Sequence, residues 1–75
     1  MKKNEFFNRL EEIMELDPNT IKGDQKTIEY PSWDSLAAVQ YIALVDSEFN
    51  IVPAGEDIIK CETFNDLAAL AGIKE

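Results

Sequence analysis

The chain has 75 residues, of which 15 are Asp or Glu and 7 are Lys or Arg; it contains one Cys and no His, and its formal net charge is −8. At this length we expect a single domain, residues 1–75, whose small core supplies a stability of roughly 3–5 kcal/mol. Without His the chain can form neither a Ser/His/Asp or Cys/His triad nor a Cys2His2 zinc site, and we predict no metal site. The acidic balance argues against nucleic acid and anionic membranes as partners.

The cysteine count and the apolar runs predict a cytoplasmic protein with no membrane span. Cys61 alone cannot form an intrachain disulfide, and we interpret it as a small core residue. Charged residues interrupt the N-terminal segment, so it does not match a signal peptide. The longest apolar run, residues 41–45, is too short to cross a membrane.

The first predicted helix covers Asn4 to Leu16. Its apolar residues Phe6, Leu10, Ile13 and Met14 recur with helical spacing, with Asn4 as the N-cap. The helix ends before Pro18, which cannot continue it. We expect the opposite face, with Glu5, Arg9, Glu12 and Glu15, to be solvated.

A long connection, Asp17 to Ser32, follows this helix. A loop of this length in a compact domain is functional or is held by its own side chains, and Ile21, Ile28 and Tyr30 are the candidates for holding it. Its Asp-Pro-Asn start does not lead into a calcium loop, because Lys22 stands where the EF-hand requires Gly and Ile28 where it requires Glu.

The second predicted helix, Asp34 to Phe49, is apolar over more than one face. A core stripe of helical spacing is formed by Ala38, Tyr41, Ile42, Val45 and Phe49. Further apolar residues lie off this stripe, namely Leu36, Val39, Ala43 and Leu44. Such a helix either presents apolar surface to a partner or is covered by the long loop, and both alternatives stay open.

The remaining segments predict two more helices. After a turn at residues 52–55, a short helix is expected over Glu56–Cys61 with acidic residues in its first turn. Thr63 and Asp66 resemble a capping box that opens the last helix, which buries Phe64, Leu67, Ala68 and Ala71 and ends at Gly72. The predicted fold is all-α: a small bundle of three main helices and one short helix, with the long loop between the first and second.

Ser35 is the candidate site residue. Following Asp34, a favourable N-cap, it would begin the second helix, and helix N-termini bind anions. No His or Lys adjoins Ser35 in sequence to activate its hydroxyl, so we expect it to be modified by another enzyme and predict no enzymatic activity for this chain. The alternative is that Asp34 and Ser35 merely cap a helix.

The whole arrangement resembles the acyl carrier protein family over essentially the full chain. The residues that carry the resemblance are Trp33-Asp34-Ser35-Leu36 after a long loop, Asp46-Ser47-Glu48-Phe49 at the end of an apolar helix, Val52-Pro53, and Thr63-Phe64 with Asp66-Leu67. The resemblance implies that Ser35 carries a 4′-phosphopantetheine arm, transferred from coenzyme A by a phosphopantetheinyl transferase. The thiol of the arm would carry acyl or aminoacyl thioesters between partner enzymes.

The departures from the family pattern favour a specialised, stand-alone carrier over the housekeeping fatty acid carrier. Ser32 stands where fatty acid carriers typically have Gly, and the positions of the second helix expected to be exposed include only one acid: Ala37, Val39, Gln40, Ala43, Asp46 and Ser47. Trp33 just before Asp34 looks more like specialised, stand-alone carriers or like peptidyl and aminoacyl carriers. It either joins the interface or packs the long loop onto the bundle.

The predicted docking surface is acidic with an apolar centre. No Lys or Arg occurs between Lys26 and Lys60, so loading and transfer enzymes with basic docking surfaces are the expected partners of a monomer, although acidic charge also serves solubility. The predicted docking residues are Trp33, Asp34, Leu36, Val39, Gln40, Ala43, Asp46, Glu56 and Asp57. The competing hypothesis is an acidic helical adaptor without a prosthetic group, in which the second helix is the contact.

Overall fold

Helix α1 begins the bundle and spans Lys3–Met14 in the computed structural model, which describes residues 1–73. Lys2 is the N-cap, and its N–H donates to the Glu5 carboxylate over 3.0 Å, so the prediction of Asn4 as N-cap is wrong. That bond lets the helix start before Asn4. Helix α1 ends at Met14, two residues before the predicted end, and Glu15 after it takes the left-handed conformation (φ 58°).

Three more α-helices follow: α2 spans Ser35–Phe49, α3 Gly55–Lys60 and α4 Phe64–Leu70, with a 3-10 turn at Thr27–Glu29 inside the long loop. Helix α1 packs against α2 and α4, and α3 packs against α4. The predicted all-α bundle of three main helices and one short helix is confirmed. Residues 74 and 75, at the end of the predicted domain, lie outside the described residues.

The core lies where the three main helices meet. Phe6 contacts Tyr41 and Phe49 edge to face, at centroid distances of 6.0 and 6.4 Å. The Tyr41 hydroxyl donates to the Leu67 carbonyl over 2.7 Å and thereby links α2 to α4. Within residues 1–73, none of the helices combines the length and the apolar character that crossing a membrane requires.

The long loop is held by two of the three predicted side chains and by a buried carboxylate. Ile21 is buried, and Tyr30 packs edge-on against Phe64 at 5.3 Å. Ile28 is 87% exposed, so its predicted role is wrong; it lies in the 3-10 turn with its side chain in solvent. Glu11, only 2% exposed, accepts the N–H groups of Asn19 and Ile21 and ties the loop to α1.

The middle of the same loop pairs with the start of α4 and with the residue Glu62 before it. The N–H of Thr27 donates to the Glu62 carbonyl (2.9 Å), and that of Asn65 to the Gly23 carbonyl (2.8 Å). Gly23 has φ of +122°, and a Cβ there would collide with the Asn65 side chain, so only glycine fits. The loop therefore reaches the start of α2 in a fixed path.

Candidate functional site

Ser35 is the first residue of α2, and its side chain is exposed. Asp34 precedes it in extended conformation and accepts the Ala37 N–H over 2.9 Å. This is the predicted N-cap, and it fixes where the helix begins. The residue singled out in the sequence therefore stands on a defined helix terminus, accessible to an external enzyme.

The surroundings of Ser35 suit a phosphate ester. The first N–H groups of a helix have no intrahelical acceptor, and among residues 1–73 no acceptor is bonded to the N–H of Ser35 or Leu36. These groups and the positive end of the helix dipole stabilise an anion at this position. The residues present thus fit a phosphodiester-linked arm on the Ser35 oxygen.

Ser35 has no means of activating itself within the described residues. No side chain of residues 1–73 is hydrogen-bonded to its hydroxyl, and the chain contains no His. A serine hydroxyl needs a base to become a nucleophile. Within the described residues the exposed Ser35 hydroxyl therefore has no hydrogen-bonded base.

Trp33 packs the end of the loop onto the bundle. Its ring meets Tyr41 edge to face at 5.9 Å, and the backbone N–H of Trp33 donates to the Tyr30 carbonyl over 2.9 Å. The side chain is half-buried, so part of it remains at the surface beside Asp34. Packing of the loop, one of the two roles considered for Trp33, is therefore present in the structure.

The predicted docking residues of α2 are all exposed. Leu36 and Val39, at 66% and 61% exposure, stand on successive turns, and Ala43 continues the same stripe toward Asp46. Gln40 is exposed beside them. The long loop does not cover this stripe, although covering by the loop was one of the two alternatives.

One residue expected on the exposed face is not there. Ala37 is 3% exposed and belongs to the core, so that expectation is wrong. Leu44, which lies off the core stripe predicted from the sequence, is also buried. The buried face of α2 is therefore broader than the predicted core stripe, since it also includes Ala37 and Leu44.

Acidic side chains of the segment without basic residues lie on the surface. Glu56 and Asp57 occupy the first turn of α3, where they complement the helix dipole, and both are exposed. Glu29, Asp34, Asp46 and Glu48 are exposed as well. Within residues 1–73 the one ion pair is Arg9–Glu12 (3.8 Å), so none of these six acids forms an ion pair with a described base.

Cys61 packs at the edge of the core. Burial is the main factor that raises the pKa of its thiol, with the charges of Asp66 and Asp57 adding to the effect. The thiol donates to the Asp57 carbonyl at 3.4 Å. A half-buried thiol with a raised pKa is a poor nucleophile, in keeping with the interpretation of Cys61 as a structural residue.

Sequence reasoning missed Glu11, which positions the site indirectly by holding the loop. Position 11 is one turn from Phe7 and from Met14, on the buried side of α1. Its spacing from these two apolar residues is the feature of the sequence that predicts the burial of Glu11.

Comparison with known proteins returns no relative: no family model, no curated protein and no solved structure matches the chain. The functional assignment therefore depends on the residues and geometry described above.

Proposed function

We propose that this protein is a carrier whose Ser35 is modified with 4′-phosphopantetheine, in the manner of acyl carrier proteins. The observation that carries the proposal is the exposed Ser35 hydroxyl at the start of α2, capped by Asp34 and followed by the exposed apolar Leu36 and Val39. The hydroxyl is open to a transferase, and the apolar residues beside it offer a contact.

The modification is a phosphoryl transfer in which this chain supplies only the acceptor. The Ser35 oxygen attacks the pyrophosphate phosphorus of coenzyme A that bears pantetheine. A Ser O–P bond forms, the P–O bond between the two phosphates breaks, and adenosine 3′,5′-bisphosphate leaves. The hydroxyl proton passes to a base of the transferase, since no residue of 1–73 is bonded to that hydroxyl.

When attached, the arm supplies a thiol that holds an acyl or aminoacyl group as a thioester. The chain's own residues hold the attachment point. Asp34 fixes the helix start and the Glu11 carboxylate fixes the loop, and the N–H groups of Ser35 and Leu36 would donate to the phosphodiester of the arm. A carrier needs no catalytic residue of its own for this role.

Docking of basic partner enzymes is the second part of the proposal. The exposed acids between Lys26 and Lys60 form no ion pair within the described residues, so their charges are available to a partner. Charges at the rim of an interface mainly set the encounter rate and the specificity. The apolar stripe of α2 then supplies the buried centre of the contact.

The test is the mass of the protein after incubation with coenzyme A and a phosphopantetheinyl transferase. We expect one added phosphopantetheine on the wild type and on Ser47→Ala, a matched change at another exposed serine of α2, and none on Ser35→Ala. An unchanged wild-type mass with several transferases would favour the second candidate, an acidic adaptor. The exposure of Leu36 and Val39 also supports that candidate.

A further inference from the structure

A groove between α1 and α2 begins beside Ser35. Its first part, about 330 Å³, is lined by Asp34 and Leu36, the two neighbours of Ser35, and by Ile13 and Gln40. A second part, about 470 Å³, continues between the helices and is also lined by Ile13 and Gln40. The two hollows adjoin each other, since Glu12, Ile13 and Gln40 line both, and together they are called the α1–α2 groove.

The lining of the α1–α2 groove alternates apolar and polar groups. Ile13 and Leu44 form its floor, and the carboxylates of Glu12 and Glu48 and the amide of Gln40 stand along its sides. Such a lining does not suit a plain hydrocarbon chain, because burying these carboxylates against methylenes is costly. It suits an uncharged chain that carries amides as well as methylene and methyl groups.

We infer that the arm on Ser35 lies in the α1–α2 groove and that its cargo is a small polar acyl or aminoacyl group; the inference rests on the proposed function. Past its phosphate, the pantetheine chain is neutral and contains two amides. The amide N–H groups find acceptors in Glu12 and Gln40, and the dimethyl group finds an apolar floor.

The pantetheine chain and the α1–α2 groove have similar lengths. From Leu36 to Ser47, both of which line the groove, α2 advances by about 16 Å at 1.5 Å per residue. The pantetheine chain is equivalent to about four residues of main chain and spans roughly 14 Å when extended. A thiol at its end reaches the last turn of the groove without leaving it.

The far end of the groove indicates the class of cargo. Arg9, Ser47 and Glu48 line it, so a thioester there meets a guanidinium donor, a hydroxyl and a carboxylate. These groups bond hydroxyl, amine or carbonyl groups of a short cargo. A long alkyl chain would meet these polar groups at that end, with Ala43 and Leu44 as its apolar neighbours.

The experiment compares backbone amide chemical shifts of the unmodified and modified protein, after mass measurement has confirmed the modification. We expect shift changes above the chain-wide mean at Ile13, Gln40, Ala43 and Ser47. Ala43→Trp places a large side chain in the groove and should reduce these changes to the mean, whereas Ala69→Trp, at an exposed alanine of α4, should leave them as in the wild type.

Changes confined to residues 34–37, or extending instead to Ile58 and Ile59 of α3, would overturn the inference while leaving the proposed function intact. An unchanged mass would overturn the proposed function itself. Loading with 3-hydroxybutyryl and octanoyl groups tests the cargo class. Further changes at Ser47 and Glu48 are expected with the hydroxyacyl group only, and larger changes with octanoyl would contradict a polar cargo.

Discussion

The Glu11 carboxylate gives the sharpest test of how the site is held. It is 2% exposed, and its oxygens accept the N–H of Asn19 at 3.1 Å and of Ile21 at 2.8 Å. Hydrogen bonds to a charged group contribute about 1.5–3 kcal/mol each, and a buried N–H left without a partner costs about 1–3 kcal/mol. Replacing Glu11 by Ala removes both bonds, so we expect a loss of about 3–5 kcal/mol, comparable with the whole stability of a domain of this size.

Glu11→Gln is the informative substitution because it keeps the shape and one acceptor. Its oxygen can still serve the buried Ile21 N–H, while its NH2 group faces the more exposed Asn19 N–H. We expect a loss of about 1.5–3 kcal/mol in the free energy of unfolding, the contribution of one charged hydrogen bond.

The assay is urea unfolding followed by circular dichroism and Trp33 fluorescence. With a slope of about 1 kcal/mol per molar urea, the midpoint of Glu11→Gln should fall by about 1.5–3 M. Glu12→Gln, at the exposed neighbouring position, is the control and should change the free energy by less than about 0.5 kcal/mol. Equal midpoints for the two variants would refute the role assigned to the buried carboxylate.

Four further predictions follow from other contacts. Tyr41→Phe should lower stability by about 1–2 kcal/mol in urea unfolding, because it removes the buried bond to the Leu67 carbonyl. Burial, and then the charge of Cys61, raise the pKa of Tyr41 above its usual value. The contribution of the Tyr41 hydroxyl to stability is therefore full below pH about 10 and is lost as the pH rises through the raised pKa. Raising the pH into the alkaline range should destabilise the wild type more than Tyr41→Phe. The N–H groups of Glu62 and Thr63 lower the pKa of Asp66, so its stabilisation is present above pH about 4 and is lost as pH falls through the lowered pKa. Asp66→Asn should cost about 0.5–1 kcal/mol at pH 7 and progressively less as the pH is lowered, measured by thermal unfolding. Raising ionic strength should slow the modification of Ser35 by a transferase at salt concentrations that leave the unfolding midpoint unchanged, and a rate independent of salt would contradict electrostatic docking.

The starts of α2 and α4 were predicted correctly from the sequence, because each is capped by side chains of neighbouring residues. Asp34 marks the start of α2, and Thr63 with Asp66 forms the capping box of α4, in which each side chain accepts the other's backbone N–H. Capping depends on side chains within one turn, so it can be read from neighbouring residues. At α1 the same reasoning failed, because the Glu5 carboxylate reached back to Lys2 and moved the start before Asn4.

Tertiary contacts were less predictable. The burial of Ala37 and the exposure of Ile28 depend on how closely α1 approaches α2 and on the path of the loop, and spacing along one segment does not specify either. The position of Ser35 followed from its neighbours in sequence. The α1–α2 groove beside it did not, because a groove is a property of two packed helices.

The mass of the protein after reaction with coenzyme A and a phosphopantetheinyl transferase tests the central claim most directly. The account predicts a single added phosphopantetheine on wild type and on Ser47→Ala and none on Ser35→Ala, with all three proteins folded by circular dichroism. Addition to Ser35→Ala, or no addition to the folded wild type with any of several transferases, would contradict it.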